Sequence, residues 1–140
     1  MKRPTILLLA LALGLSACGS GGSSGKKKAK EELKILGKTV EVRGRAKPTT
    51  GKLSIELDDS YFKPNVIAGS AGKKLAITFE NEGKATHNFS LAAQKIDKDV
   101  KPGATLTITV TFPAKDRIAF FCKYHKDSAA MIGVLRVAKA

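Results

Sequence analysis

The stretch Thr105-Leu106-Thr107-Ile108-Thr109-Val110-Thr111-Phe112 puts Leu106, Ile108, Val110 and Phe112 on one face and four threonines on the other. A period of two is that of a half-buried β-strand. The same period runs upstream through Leu53, Ile55 and Leu57, set against Lys52, Ser54 and Glu56, and through Leu75, Ile77 and Phe79, set against Lys74, Ala76, Thr78 and Glu80. Alternation of this kind predicts antiparallel strands with one face buried. Turn-forming residues punctuate the pattern at Asp58-Asp59, Ala68-Gly69, Gly72, Asn81-Glu82-Gly83, Pro102-Gly103 and Pro113. No amphipathic helix of useful length is legible between Gly51 and Ala140. The predicted fold is all-β, a Greek-key β-sandwich of about seven or eight short strands over residues 51–140.

The chain has 140 residues, with 25 Lys and Arg against 12 Asp and Glu, a formal net charge of +13. That length allows one domain with a tail. All six Phe and both Tyr fall between Tyr61 and Tyr124, so the packed core belongs to the second half. Two Cys, two His, two Met and no Trp exclude a disulfide-stapled mini-domain, a four-ligand Cys/His zinc site and a haem-attaching C-x-x-C-H.

Residues 1–17, MKRPTILLLALALGLSA, begin with Lys2 and Arg3 and continue into an apolar run too short to span a bilayer. They read as an export signal. Leu15-Ser16-Ala17-Cys18 resembles the lipobox of bacterial lipoproteins, which implies that Cys18 is lipid-modified on sulfur and becomes the mature N-terminus. The other reading is an ordinary signal peptide that ends near a cysteine; the Gly/Ser spacer at 19–25 favours the lipoprotein. Residues 18–50 then form a lipid-anchored tether, Gly/Ser-rich and then Lys-rich, with a reach of roughly 30 Å for about 30 residues. Lys26-Lys27-Lys28-Ala29-Lys30 suits either anionic headgroups or plain solvation. Lys34 to Arg43 is open between a short helix and an edge strand. The expected location is extracytoplasmic, on the periplasmic or outer cell surface of a membrane. Residues 51–140 carry 14 Lys and Arg against nine Asp and Glu, a net +5, so the basic balance is mostly the tail's. Nothing interleaves Arg with aromatics as a nucleic-acid surface does.

The scarce residues fall into one pattern. His87 shares parity with Phe89 and Leu91, Cys122 with Ile118 and Phe120, and Met131 with Leu135 and Val137, so all three face the core at strand ends. Asn88 and Ser90 face away. His125 follows Cys122 by three residues, close enough to bind the same atom. Taken singly, His87 reads as a hydrogen-bonded strand-end histidine, Cys122 as an inert buried thiol and Met131 as core filler. Together, one thiolate, two imidazoles and a thioether are the donor set of a blue copper electron-transfer site. An unpaired thiol in an exported protein also needs a reason, and metal ligation supplies one.

The stretch Gly51 to Val137 resembles the cupredoxin family, the plastocyanin-like single-domain blue copper proteins. The resemblance rests on Phe62-x-Pro64, Phe79-x-Asn81, His87-Asn88-Phe89, Phe121-Cys122-x-x-His125 and Met131-x-Gly133. It implies one type 1 copper ion with His87, Cys122 and His125 as equatorial ligands and Met131 as the axial one. It also implies that Asn88 ties the two ligand loops together through backbone hydrogen bonds; the plainer reading of Asn88 is a turn former. Two departures stand out: Met131 lies six residues after His125 where the family usually has five, and Tyr124 stands where proline is common. Lys123 and Lys126 flank His125, which with Ala129, Ala130 and Ile132 gives either an apolar docking face with a basic rim for an acidic partner, or two solvated lysines.

The expected function is a monomeric, membrane-tethered blue copper protein that passes single electrons between redox protein donors and acceptors and is not an enzyme. A rival in the same ligands is copper storage, delivery or detoxification. A Cys122/His125 nucleophilic enzyme is weakened by the lack of an evident orienting carboxylate. Multicopper oxidase and nitrite reductase fragments need more than two histidines.

Overall fold

The computed structural model describes residues 28–140, and the leader, Cys18 and the start of the expected tether lie outside them. In chain order the strands are β1 (Glu32–Ile35), β2 (Lys38–Glu41), β3 (Arg45–Ala46), β4 (Lys52–Asp58), β5 (Tyr61–Lys63) and β6 (Val66–Gly69). They continue as β7 (Lys74–Asn81), β8 (His87–Leu91), β9 (Ile96–Val100), β10 (Thr105–Thr111), β11 (Arg117–Phe121) and β12 (Ile132–Val137). A single 3-10 turn, Ala92–Gln94, separates β8 from β9.

One sheet has the order β10-β7-β4-β5 and the other β3-β6-β12-β11-β8-β9. Their inner faces supply the core: Ile55, Leu57, Leu75, Ile77, Phe79 and Val110 from the first meet Ile67, Phe89, Leu91, Phe120 and Leu135 from the second. Alternating apolar residues have no other way to leave water, which is why the period-two segments become a sandwich. The strand opened above pairs in the register that its pattern requires, with Leu106, Ile108 and Val110 opposite Phe79, Ile77 and Leu75. Four aromatic rings run through the middle: Phe62 packs edge-on against Phe120 at 5.1 Å, Phe120 lies 5.3 Å from Phe89, and Phe89 lies 4.5 Å from Phe79.

Two expectations are corrected. The alternation predicted antiparallel pairing throughout, yet β4 runs parallel to β7 and β12 parallel to β6. A half-buried face fixes which residues point inward and leaves the direction of the neighbour free.

The second correction concerns the tether, which does not extend to residue 50. Strands β1 and β2 form an antiparallel hairpin through Leu36 and Gly37, both at positive φ, as a tight hairpin turn requires. This hairpin lies on the outer face of the six-stranded sheet, where Ile35 and Val40 are buried with Val66, Ile132 and Val134. Arg117 donates to the Lys34 carbonyl at 2.8 Å, and buried Asn65 bonds both the Arg43 amide and the Glu41 carbonyl at 2.8 Å. The segment left open between helix and strand is thus strand, and the folded body begins near Glu31. Residues 51–140 hold nine strands, β4 to β12, against the seven or eight expected there; β1 to β3 bring the described residues to 12, several only two to four residues long.

Candidate metal centre

Strand direction gathers the site. Because β11 is antiparallel to both β12 and β8, its C-terminal end coincides with the N-terminal ends of its two neighbours. Cys122 follows β11, Met131 precedes β12 and His87 opens β8, so His87 meets residues 35 and 44 positions further along the chain at one end of one sheet. The Cys122 amide donates to the Met131 carbonyl at 3.0 Å, which extends the β11–β12 ladder into the site itself.

One ligand atom from each of His87, Cys122 and His125 lies within 4.8 Å of the other two. These three are in position to hold one metal ion. The Cys122 sulfur is 3.4 Å from His125 Nδ1, and the two imidazole rings are 5.0 Å apart at 58°. Cys122, His87 and Met131 are fully buried, while His125 is partly exposed. Sequence parity read those three inward orientations correctly.

His87 provides the test of fit. Neither ring nitrogen has a hydrogen-bond partner, although the residue is sealed from solvent. Buried polar atoms are rarely left so, and each costs about 1–3 kcal/mol unless something else engages it. Nε2 faces Asp59, with Oδ1 at 3.6 Å, just beyond hydrogen-bond reach. Nδ1 is therefore the atom free for a metal. Burial, with a smaller push from His125, holds the His87 pKa below the ordinary histidine value, opposed by Asp59 and Asp58. At neutral pH the ring is neutral, the form that offers a lone pair to a metal.

The longer loop from His125 to Met131 is absorbed by local turns. The His125 and Lys126 amides both donate to the Cys122 carbonyl, at 3.1 and 2.9 Å, and the Ala129 and Met131 amides both donate to the His125 carbonyl, at 3.1 and 3.3 Å. Ala130, at φ 50°, makes the reversal between them. The added residue thus curls outward while Met131 stays buried next to Cys122 in the ladder.

Asn88 is more enclosed than expected. It and Ser90 point away from the main core, yet both are buried, because Asp97 and Asp99 on β9 cover them. Asn88 Nδ2 donates to Asp97 and Asp99 at 2.7 and 2.8 Å, and its Oδ1 accepts from Ser90 and, at a long 3.4 Å, from the Lys123 amide. The same two carboxylates pair with the Lys123 ammonium at 2.9 and 3.2 Å, and Asp99 also accepts from the Tyr124 hydroxyl at 2.8 Å. Each carboxyl is held below the usual Asp range, Asp97 first by Lys123 and Asp99 first by Asn88. Tyr124, in the place where proline was expected, therefore fastens the ligand loop to β9. Asp97 and Asp99 escaped the sequence reading because a strand of alternating charges, Asp97-Lys98-Asp99, looks like any solvated edge.

Lys123 and Lys126, open between a basic docking rim and two solvated lysines, are both ion-paired within the molecule. Lys123 is occupied by Asp97 and Asp99, and Lys126 by Asp127 at 2.8 Å, an acid that also meets Lys38 of the hairpin at 3.1 Å. Each lysine of the loop brings its own counter-charge. What remains open beside His125 is Tyr124, half exposed, with its ring 6.5 Å from the imidazole.

Sheet order and ligand placement define the class, a two-sheet β-sandwich with a His, Cys, His cluster at one end. The chain belongs to the family described as the cupredoxin-like domain, whose model matches residues 6–134. Among solved structures it is similar to dithionite-reduced auracyanin from Roseiflexus castenholzii, with 22% identity over 66% of this chain and 100% of that one, at a TM-score of 0.55. It is also similar to the metal-binding domain of a Cu(I)-exporting P-type ATPase from Streptococcus pneumoniae D39, solved with Cu(I), with 17% identity over 69% and 98% at a TM-score of 0.55. A blue copper oxidase from Nitrosomonas europaea aligns at 13% identity and a TM-score of 0.53, over 61% of this chain and only 38% of that one. At these identities the likeness is one of fold. No curated protein matches the chain.

Proposed function

We propose that this protein is a type 1 copper protein that carries single electrons outside the cytoplasmic membrane, anchored through a lipid on Cys18. The copper reading is carried by the preformed cluster, in which a cysteine sulfur and two imidazoles converge within 4.8 Å and the buried His87 has ring nitrogens without partners. A soft sulfur with two imidazoles suits copper, and the bound ion supplies a Cu(II)/Cu(I) couple. The chain's part is to hold the donors still: β8 fixes His87, the ladder to Met131 fixes Cys122, and the Lys123/Tyr124 fastening fixes the loop that carries His125. Rigid donors keep reorganisation small when one electron moves. Met131, buried beside Cys122, is the candidate axial ligand.

Partly exposed His125, beside Tyr124, is the point of electron entry and exit for redox protein partners. The enzyme reading is disfavoured because the Cys122 thiol is fully buried and meets no substrate. Anchoring is supported by Leu15-Ser16-Ala17-Cys18 and the Gly/Ser spacer after it.

The test is to titrate the Cys18→Ser protein, made without its leader, with Cu(II) and record visible and electron paramagnetic resonance spectra alongside Cys122→Ala. An intense thiolate-to-copper band at one equivalent, lost in the mutant and bleached reversibly by one electron, is the expected result. A colourless sample sinks the reading. Rapid release of copper to a chelator without electron exchange would move the protein to copper delivery.

A further inference from the structure

Asp59 is exposed, lies outside every motif that marks the site, and sits against His87, a candidate ligand that is wholly sealed. Strands β4 and β7 are parallel, with Leu57 opposite Asn81, so the turn after β4 and the turn after β7 emerge side by side. The first turn contains Asp59 and the second Gly83. Both the Glu82 and Gly83 amides donate to the Leu57 carbonyl, at 2.9 and 3.2 Å, and the Lys84 amide donates to Asp59 Oδ1 at 2.9 Å. The carboxylate is thus aimed by backbone on both sides. Gly83 makes the approach possible: a Cβ there would come within 2.5 Å of Asp59 Oδ1 and 2.9 Å of His87 Nε2. A glycine without positive φ, placed where any side chain would wedge a carboxylate away from an imidazole, has a packing reason to be glycine.

We infer that Asp59 is the outer partner of His87, holding the proton on Nε2 and so leaving the Nδ1 lone pair to the metal. This rests on the metal-centre reading of the same cluster and adds a positioning residue to it. A ligating histidine commonly gives its second N–H to a carboxylate or carbonyl, which fixes the tautomer and raises the ring's basicity. Here the facing group is a half-exposed carboxylate 3.6 Å away, just beyond hydrogen-bond reach, and Nε2 has no hydrogen-bond partner elsewhere. A negative charge on the far side of the ring favours the more highly charged metal state. Asp59 accordingly stabilises bound Cu(II) more than bound Cu(I).

The experiment compares wild type, Asp59→Ala and Asp59→Asn in three measurements. In metal-free protein, nitrogen-15 NMR of the imidazoles should find His87 protonated on Nε2 in wild type and Asp59→Asn, and a mixture of tautomers in Asp59→Ala. With Cu(II), Asp59→Ala should bind about 10–100-fold more weakly, the usual cost of losing an outer partner. Asp59→Asn, which can still accept a hydrogen bond, should fall between. Each tenfold loss specific to Cu(II) raises the reduction potential by about 59 mV. Melting of metal-free Asp59→Asn should match wild type, since the amide oxygen can still accept from the Lys84 amide, whereas Asp59→Ala should melt slightly earlier for want of that bond. Identical tautomers and affinities in wild type and Asp59→Ala would overturn the assignment. A protein that binds no copper at all would instead overturn the function proposed above, with the metal-free tautomer still deciding the role of Asp59.

Discussion

Asn81 shows how much one side chain can organise. Its Nδ2 donates to the carbonyls of Ala85 and Val100, at 2.9 and 2.7 Å, and its Oδ1 accepts from the Gly83 amide at 2.9 Å. Those three bonds shape the connection that delivers His87 into β8. Asn81→Ala would strand two carbonyls and an amide, at about 1–3 kcal/mol for each group left buried and unpaired. We expect a loss of at least that size in urea unfolding of the metal-free protein, together with weaker copper binding, because His87 would no longer be held. Asn81→Asp should behave similarly, since a carboxylate cannot donate. The sequence marks Asn81 only as part of Phe79-x-Asn81; two of its partners, Gly83 and Ala85, lie in a turn and the third, Val100, ends β9, a meeting that no spacing rule encodes. Gly133 is a similar case, legible as part of Met131-x-Gly133 but explained by the Phe120 ring and the Asn65 carbonyl, which occupy the space of its missing Cβ.

Among the elements, the N-terminal hairpin departs furthest from what its composition suggests. Nine Lys and Arg in residues 26–50 masked the pairs Leu33/Ile35 and Val40/Val42, each too short to show alternation. The long strands were legible because seven or eight residues display a period; two- to four-residue strands do not. The ligands were legible because so few residues of their kinds exist in the chain, whereas the carboxylates around them are common and become distinctive only in space. Ile35→Ala should cost about 2 kcal/mol, near the lower end for such truncations because the satellite cluster is thin. Loss of hairpin amide protection ahead of the sandwich would be the sign.

Acid should loosen the same element. Arg45, by hydrogen bonding and charge, holds the Glu31 carboxyl below its usual value. A folded pKa below the unfolded one means the clasp contributes above the ordinary Glu value of about 4.3 and is lost as pH falls through the lower, folded value. Hydrogen exchange followed from neutral pH to below 4 should show the Glu31 end of the hairpin opening in that window. Arg45→Met should remove the pH dependence, and an unchanged profile would refute the clasp.

For the whole molecule, the division of labour is between sheets. The sheet of β4, β5, β7 and β10 supplies apolar backing and, through its turns, Asp59 and Gly83. The sheet of β8, β11 and β12 supplies the donors. Charge is divided as well: the folded body from Glu31 onward carries 19 Lys and Arg against 12 Asp and Glu, a net +7, yet its loop lysines are paired within the molecule. The surface around Tyr124 and His125 therefore has little unbalanced charge of its own, and under the proposed function a redox partner that docks there should associate with only a weak dependence on ionic strength. A slope as steep as that of an oppositely charged pair would contradict this.

The seating of the hairpin on β12 has a consequence for biosynthesis. Its docking surface includes Ile132 and Val134, which are made long after the hairpin itself and after Cys122, His125 and Met131. A polypeptide made N-terminus first cannot complete either the outer layer or the metal centre until β12 is made. A chain cut before Ile132 should retain His87, Cys122 and His125 yet load no copper stably, so that the ion is acquired only once β12 is in place.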